Sequence, residues 1–232
     1  MKKIIQITAV ICIALIMSCS SDDAEPIIVP EPVSFPEIPN GDFESWRVET
    51  KDHLTGTEVN YDVPNEWTEF FINDVLRFTS GHGFFNKYDY PTGDGSALLL
   101  ERSFPGASES KNNGFVRFNC ITVPNKLTGR YKFIGSSLAS TGIVDTLRIA
   151  VHFSKIIDTL TTLNLHNNVL PDRARYITII EPTENFNYFE IDVSEFIDQE
   201  IDYATIQLIM KMGDSGLDAE YSSAIIDDLK FE

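Results

Sequence analysis

Cysteine is scarce in this chain, and that excludes a stapled scaffold. Of three cysteines in 232 residues, Cys12 lies inside the opening apolar run and Cys19 directly after it, so Cys120 has no partner and no disulfide framework can form. Histidine is equally sparse: His53, His82, His152 and His166 make no H-E-x-x-H or other ligand spacing, and no serine sits in a G-x-S-x-G elbow. The usual zinc-hydrolase and serine-hydrolase signatures are absent. Basic residues are few, 18 against 35 acids for a net charge of −17, which argues against nucleic acid or anionic lipid as partner because phosphate binding needs a lysine and arginine surface. A neutral or cationic ligand fits better, although acidity also serves exposed proteins simply as a solubility device. No run is long enough to span a bilayer, no long amphipathic helix is written in the chain, and no internal repeat is visible.

What is present begins at the N-terminus. Lys2 and Lys3 precede the apolar stretch Ile4 to Met17, and Ser18-Cys19 follows as a small-residue cleavage point. The string Leu15-Ile16-Met17-Ser18-Cys19 resembles the bacterial lipobox, in which cysteine is lipidated and becomes the new N-terminus; the alternative is an ordinary secretory signal containing a cysteine. On the lipoprotein reading residues 1–18 are the signal and Cys19 carries lipid. Removing Lys2 and Lys3 takes the formal charge from −17 to −19. Ser20-Ser21-Asp22-Asp23 is similar to the export tag of Bacteroidetes-type surface lipoproteins, which implies an outer-membrane location facing the exterior. Residues 19–37 carry prolines at 26, 30, 32 and 36, with Pro39 just beyond. Such a segment stays extended at about 3.1 Å per residue, enough to hold a domain roughly 50 Å from the membrane.

From residue 38 to 232 the pattern is period two. Leu147, Ile149, Val151 and Phe153 alternate with Arg148, Ala150, His152 and Ser154, and Ile206, Leu208, Met210 and Met212 behave alike. Further strands are predicted at 42–46, 75–78, 96–103, 115–123, 130–134, 173–180, 188–193 and 224–231, with one short helical turn at 194–199. That set predicts a single all-β domain, a two-sheet antiparallel β-sandwich of the jelly-roll kind, its first strand beside its last so that Phe43 lies near Leu229. Cys120 shares a strand face with Val116 and Phe118 and reads as a small buried hydrophobe.

Four phrases occur in order: Asn40-Gly41-Asp42-Phe43-Glu44, Pro64-Asn65-Glu66-Trp67, Leu127-Thr128-Gly129-Arg130-Tyr131-Lys132-Phe133, and Ile226-Asp227-Asp228-Leu229. Together they resemble the carbohydrate-metabolism (PCMD) family and related galactose-binding-like jelly rolls of surface lipoproteins. The resemblance implies a β-sandwich and glycan association, and a structural calcium tying first strand to last, for which Asp42, Glu44 and Asp227 are the candidates. Asp42 and Glu44 are two apart and would face the same way on a strand. Asp227 shares its parity with Ile225, Leu229 and Phe231, so the alternation predicts it on the inward face, where a carboxylate must chelate a cation or be hydrogen-bonded. For sugar, which stacks on aromatic planes and is read by polar groups, the candidates are Trp67, Tyr88, Tyr90, Arg148 and His152. Trp67 also fits simple packing, and Arg148 and His152 line a groove only if their sheet face is the concave one. A non-catalytic glycan-binding module is the leading expectation; an adhesion or assembly module contacting protein partners, or a glycosidase, are the alternatives. A glycosidase needs two carboxylates about 5–9 Å apart, and strand neighbours Asp227 and Asp228 are predicted to face opposite ways.

Overall fold

A computed structural model of the chain describes residues 34–52, 58–70, 85–101, 113–135, 145–155, 173–211 and 222–232. The signal peptide, Cys19, nearly all of the tether and the strand expected at 75–78 lie outside the described residues. A compact unit runs from Phe35 to Glu232. Its strands, in chain order, are β1 (Trp46–Asp52), β2 (Glu58–Pro64), β3 (Thr68–Phe70), β4 (Phe85–Asp89), β5 (Ser96–Glu101), β6 (Asn113–Asn119), β7 (Lys126–Ile134), β8 (Thr146–Ser154), β9 (Ala174–Ile179), β10 (Asn187–Asp192), β11 (Tyr203–Lys211) and β12 (Ser223–Phe231). A 3-10 turn at Ser194–Phe196 separates β10 from β11. One five-stranded sheet has the order β10-β7-β12-β5-β4, a second the order β3-β6-β11-β8-β9, and β1 with β2 makes a hairpin of its own. All pairings are antiparallel. The fold is an all-β jelly-roll sandwich.

The alternation explains why the sheets stack. Leu147, Ile149, Val151 and Phe153 on β8 and Ala204, Ile206 and Leu208 on β11 are fully buried, as are Leu98, Leu100, Leu127, Phe133, Ala224 and Ile226 on the first sheet. Each large apolar side chain removed from water contributes about 1.5–3 kcal/mol. Contact across the interface is direct: the ring of Phe231 on β12 lies 6.2 Å from Phe153 on β8 and 5.9 Å from Phe118 on β6. Trp67 closes the core between Phe43 and Phe85, at ring distances of 5.2 and 6.0 Å.

Two expectations are corrected. The segment 42–46 is not a strand. Asn40 and Phe43 have φ of 48° and 50°, and the Asn40 amide locks the turn by donating to Ser45 O at 2.8 Å and accepting from Ser45 N at 2.9 Å. Extended structure starts only at Trp46. The opening still meets the last strand, through Leu229 N donating to Gly41 O at 2.8 Å. A side chain at Gly41 would put Cβ 2.4 Å from Leu229 O, so the approach needs glycine there.

The second correction concerns Asp227. On β12, Asp227 pairs Arg130 while Lys230 pairs Thr128, so β12 carries one extra residue. Asp228 absorbs it with φ of 53°, as a β-bulge does. Ala224 and Ile226 point into the core before the bulge and Leu229 and Phe231 after it. The parity switches between them, which puts Asp227 on the outer face.

Candidate functional site on the two outer faces

Asp227 is covered there. Tyr90 donates its hydroxyl to Asp227 Oδ2 at 2.5 Å, Arg130 Nη2 donates to the same oxygen at 2.9 Å, and the Asp228 amide donates to Oδ1 at 2.8 Å. Arg130 Nε also reaches Asp228 Oδ2 at 2.6 Å, so the bulge brings both aspartates onto one guanidinium rather than sending them to opposite faces. Burial pushes the Asp227 carboxyl above its ordinary pKa, against the lowering effect of the Tyr90 hydrogen bond. Burial, and next the hydrogen bond to Asp227, push the Tyr90 phenol up.

The calcium set does not come together. Glu44 accepts from Ser96 N at 3.0 Å and Ser96 Oγ at 3.3 Å, fixing the start of β5, while Asp42 Oδ1 accepts from Glu44 N at 3.4 Å. Among the described residues no group of three or more His, Cys, Asp or Glu side chains could hold a metal. At Asp227 the cationic position is taken by Arg130, so Asp42, Glu44 and Asp227 do not fit a shared ion.

Tyr88 and Tyr90 come together edge to face at 5.7 Å, and Tyr90 lies 5.9 Å from Phe186, whose ring sits 5.7 Å from the Arg130 guanidinium. Beside this cluster a cavity of about 400 Å³ is lined by Asp42, Arg130, Tyr188, Asp228, Leu229 and Lys230. Trp67 belongs elsewhere. It is 1 % exposed, with Nε1 donating to Pro39 O at 3.1 Å, and offers no plane to a ligand; its role is packing.

Arg148 and His152 stand on the outer face of the second sheet, and the strand registers show what surrounds them. One row across β6, β11, β8 and β9 reads Phe115, Gln207, Ala150, Tyr176; the next reads Arg117, Thr205, His152, Ala174. Three strand steps separate Phe115 from Tyr176, roughly 14 Å at the usual spacing of about 4.8 Å. Between these rings the row is covered, with Ala150 fully buried and Gln207 2% exposed. Arg117 lies 6.0 Å over Phe115 and Arg148 lies 5.1 Å over Tyr176, and Arg117 Nε donates to Thr205 Oγ1 at 2.9 Å. The outcome is a filled trough: Ala150, Ala174 and Ile209 are at most 1% exposed and pack with Tyr176 as a second apolar cluster, Gln207 and Thr205 are buried among them, and a guanidinium rests on the ring at each side. No aspartate or glutamate stands among its described strand positions. Phe115, Arg117, Tyr176, Thr205 and Gln207 went unremarked in the sequence because each lies on a different strand from its neighbours in the trough.

No protein-family model and no curated protein matches the chain, so the PCMD resemblance stands on the quoted phrases alone. Solved structures are similar at the level of chain trace. A glycoside-hydrolase candidate from Bacteroides thetaiotaomicron is 13% identical over 88% of this chain and 72% of its own, with a TM-score of 0.49. A candidate sugar-binding protein from the same organism is 10% identical over 84% of this chain and 98% of its own, TM-score 0.44. The carbohydrate-binding module CBM4 is 15% identical over 83% of this chain and 97% of its own, TM-score 0.40.

Proposed function

We propose that the protein is a non-catalytic carbohydrate-binding module, carried by lipid at Cys19 on the outer membrane and facing the exterior, that takes a glycan along the trough of the second sheet. The observation that carries this reading is the row Phe115, Gln207, Ala150, Tyr176. The half-buried rings at its two sides suit pyranoses, whose C–H faces stack on aromatic edges while hydroxyls meet the partly exposed Arg117, Arg148 and His152. An arginine laid on a ring is held in place before ligand arrives, which lowers the ordering cost of binding.

A glycan array probed with the full chain tests the function: binding without release of reducing ends is expected. Tyr176→Ala and Arg148→Ala should each weaken that binding about tenfold, the effect of losing one stacked platform worth about 1.4 kcal/mol. Silence across the array would shift the reading to an adhesion or assembly module, and reducing-end release would make the protein an enzyme. For the anchor, palmitate labelling should vanish in Cys19→Ala, and protease shaving of intact cells should remove the domain.

A further inference from the structure

The cavity beside the β12 bulge is separate from the trough, since it opens on the other sheet. We infer that it is a second carbohydrate site, built for a single uncharged hexopyranose unit such as a chain end or side branch, so that the module engages glycan at two places. Its volume of about 400 Å³ lies in the range of small-ligand pockets, about 300–1,000 Å³. The lining decides the ligand's charge. Asp42, Asp228, Arg130 and Lys230 all line the cavity, Arg130 in direct contact with Asp228 at 2.6 Å, so that two carboxylates balance two cations there in a chain whose net charge is −17. With Arg130 paired to Asp228 and Lys230 to Glu232, the lining offers an ion of neither sign a net opposite charge, whereas a hydroxyl uses both kinds of group, donating to a carboxylate and accepting from a guanidinium or ammonium.

The lining also decides the size. Tyr188 is 57% exposed and is the aromatic side chain among the six lining residues, so the cavity offers a stacking plane to one sugar ring. Leu229, 4% exposed, gives an apolar floor. The polar groups are held in advance: Arg130 is fixed by Asp227 at 2.9 Å, Asp228 at 2.6 Å and the face of Phe186 at 5.7 Å, and Lys230 is paired with Glu232 at 2.6 Å. Rigid donors and acceptors around one exposed ring are the arrangement that reads hydroxyl stereochemistry at low ordering cost. The bulge therefore has a second consequence besides moving Asp227: it turns the Asp228 carboxylate into the cavity wall.

The inference stands apart from the trough reading and is tested separately. Methyl β-glucopyranoside, β-galactopyranoside and α-mannopyranoside are titrated into the ¹⁵N-labelled full chain. At least one should move the amides of Arg130, Tyr188, Asp228 and Lys230 while leaving His152 and Thr205 in place. Tyr188→Ala should weaken that hexoside at least tenfold. Asp228→Asn, in which asparagine tolerates the positive φ, should weaken it too while melting like the parent, which separates lost recognition from lost fold. The inference is overturned if none of the three hexosides moves these amides, or if Tyr188→Ala binds as the parent does. Oligosaccharide shifts at Arg148 and Tyr176 with every hexoside silent at Tyr188 would sink this site and leave the trough standing; hexoside shifts at Tyr188 with the trough silent to every oligosaccharide of the array would do the reverse.

Discussion

Replacing Arg130 by methionine keeps much of the aliphatic stem and removes the guanidinium that ties β7 to β12 at the bulge. Asp227 would stay buried, its side chain 5% exposed, with Tyr90 and one amide as remaining donors. Breaking a buried pair by deleting one partner costs about 3–5 kcal/mol, but the Arg130 side chain is 45% exposed and solvent screens its end of the pair. A loss of about 2 kcal/mol results, which for a domain of this size is a fall of roughly 4–8 °C in melting temperature. The pH dependence fixes the cause. Burial raises the folded-state pKa of Asp227, so the folded chain holds this proton more tightly than the unfolded one. Its own contribution is fully present below the unfolded value and is lost as pH rises through the folded value. The Arg130→Met deficit needs an ionised Asp227; it should be complete at pH 7 and close as pH falls through that raised value. Melting followed by circular dichroism at pH 7 and near pH 3.5, with EDTA or with millimolar calcium, is the assay. The wild-type curve should ignore both additions. Calcium bound at a hundredfold excess over its dissociation constant would add about 2.7 kcal/mol, and a shift of that size, or a deficit unchanged by acid, would refute an arginine clasp at Asp227.

Trp67→Ala should cost about 3–5 kcal/mol in urea denaturation, since the ring is 1% exposed between Phe43 and Phe85; a loss below about 1 kcal/mol would contradict its place in the core. Gly114→Ala puts Cβ 2.0 Å from Phe85 Cζ, inside a fully buried ring, and should destabilise by about 1–3 kcal/mol, whereas a melting temperature equal to the parent's would mean that Phe85 can move aside. Burial pushes the Cys120 thiol up to about 11, so iodoacetamide at pH 8 should label it only after denaturant is added; prompt labelling of the native protein would tell against its burial.

The strands legible in the sequence are those with one apolar face. β8 gave itself away because Leu147, Ile149, Val151 and Phe153 all enter the core while Arg148, His152 and Ser154 do not. The β1–β2 hairpin left no such trace: Val48 is 64% exposed, and Arg47 and Glu49 pair with each other at 2.9 Å, so neither face carries a continuous apolar row. β3 and β4, three and five residues long, are too short for periodicity to register. The strand expected at 42–46 failed for a tertiary reason. Phenylalanine has no preference for a positive φ, yet Phe43 holds φ of 50° with its ring fully buried, and the packing of that ring offsets the backbone cost.

Function was less legible than fold because it depends on pairing, which a single strand does not encode. Asp227 has the parity of Leu229 and Phe231, and only the pairings Asp227 to Arg130 and Lys230 to Thr128 reveal the extra residue between them. The same holds for the trough, whose floor and walls come from residues 115–117, 148–152, 174–176 and 205–207, joined by register alone. Composition misleads for a related reason. A net charge of −17 governs long-range attraction and repulsion, but beyond about 8–10 Å in physiological salt that field is screened. A ligand at the surface would meet the local field instead. Arg117, Arg148 and His152 stand on one outer face without a described carboxylate, while two carboxylates oppose two cations around the cavity on the other. Net acidity thus bears on which partners approach, and the bulge and the strand registers on what they touch once there.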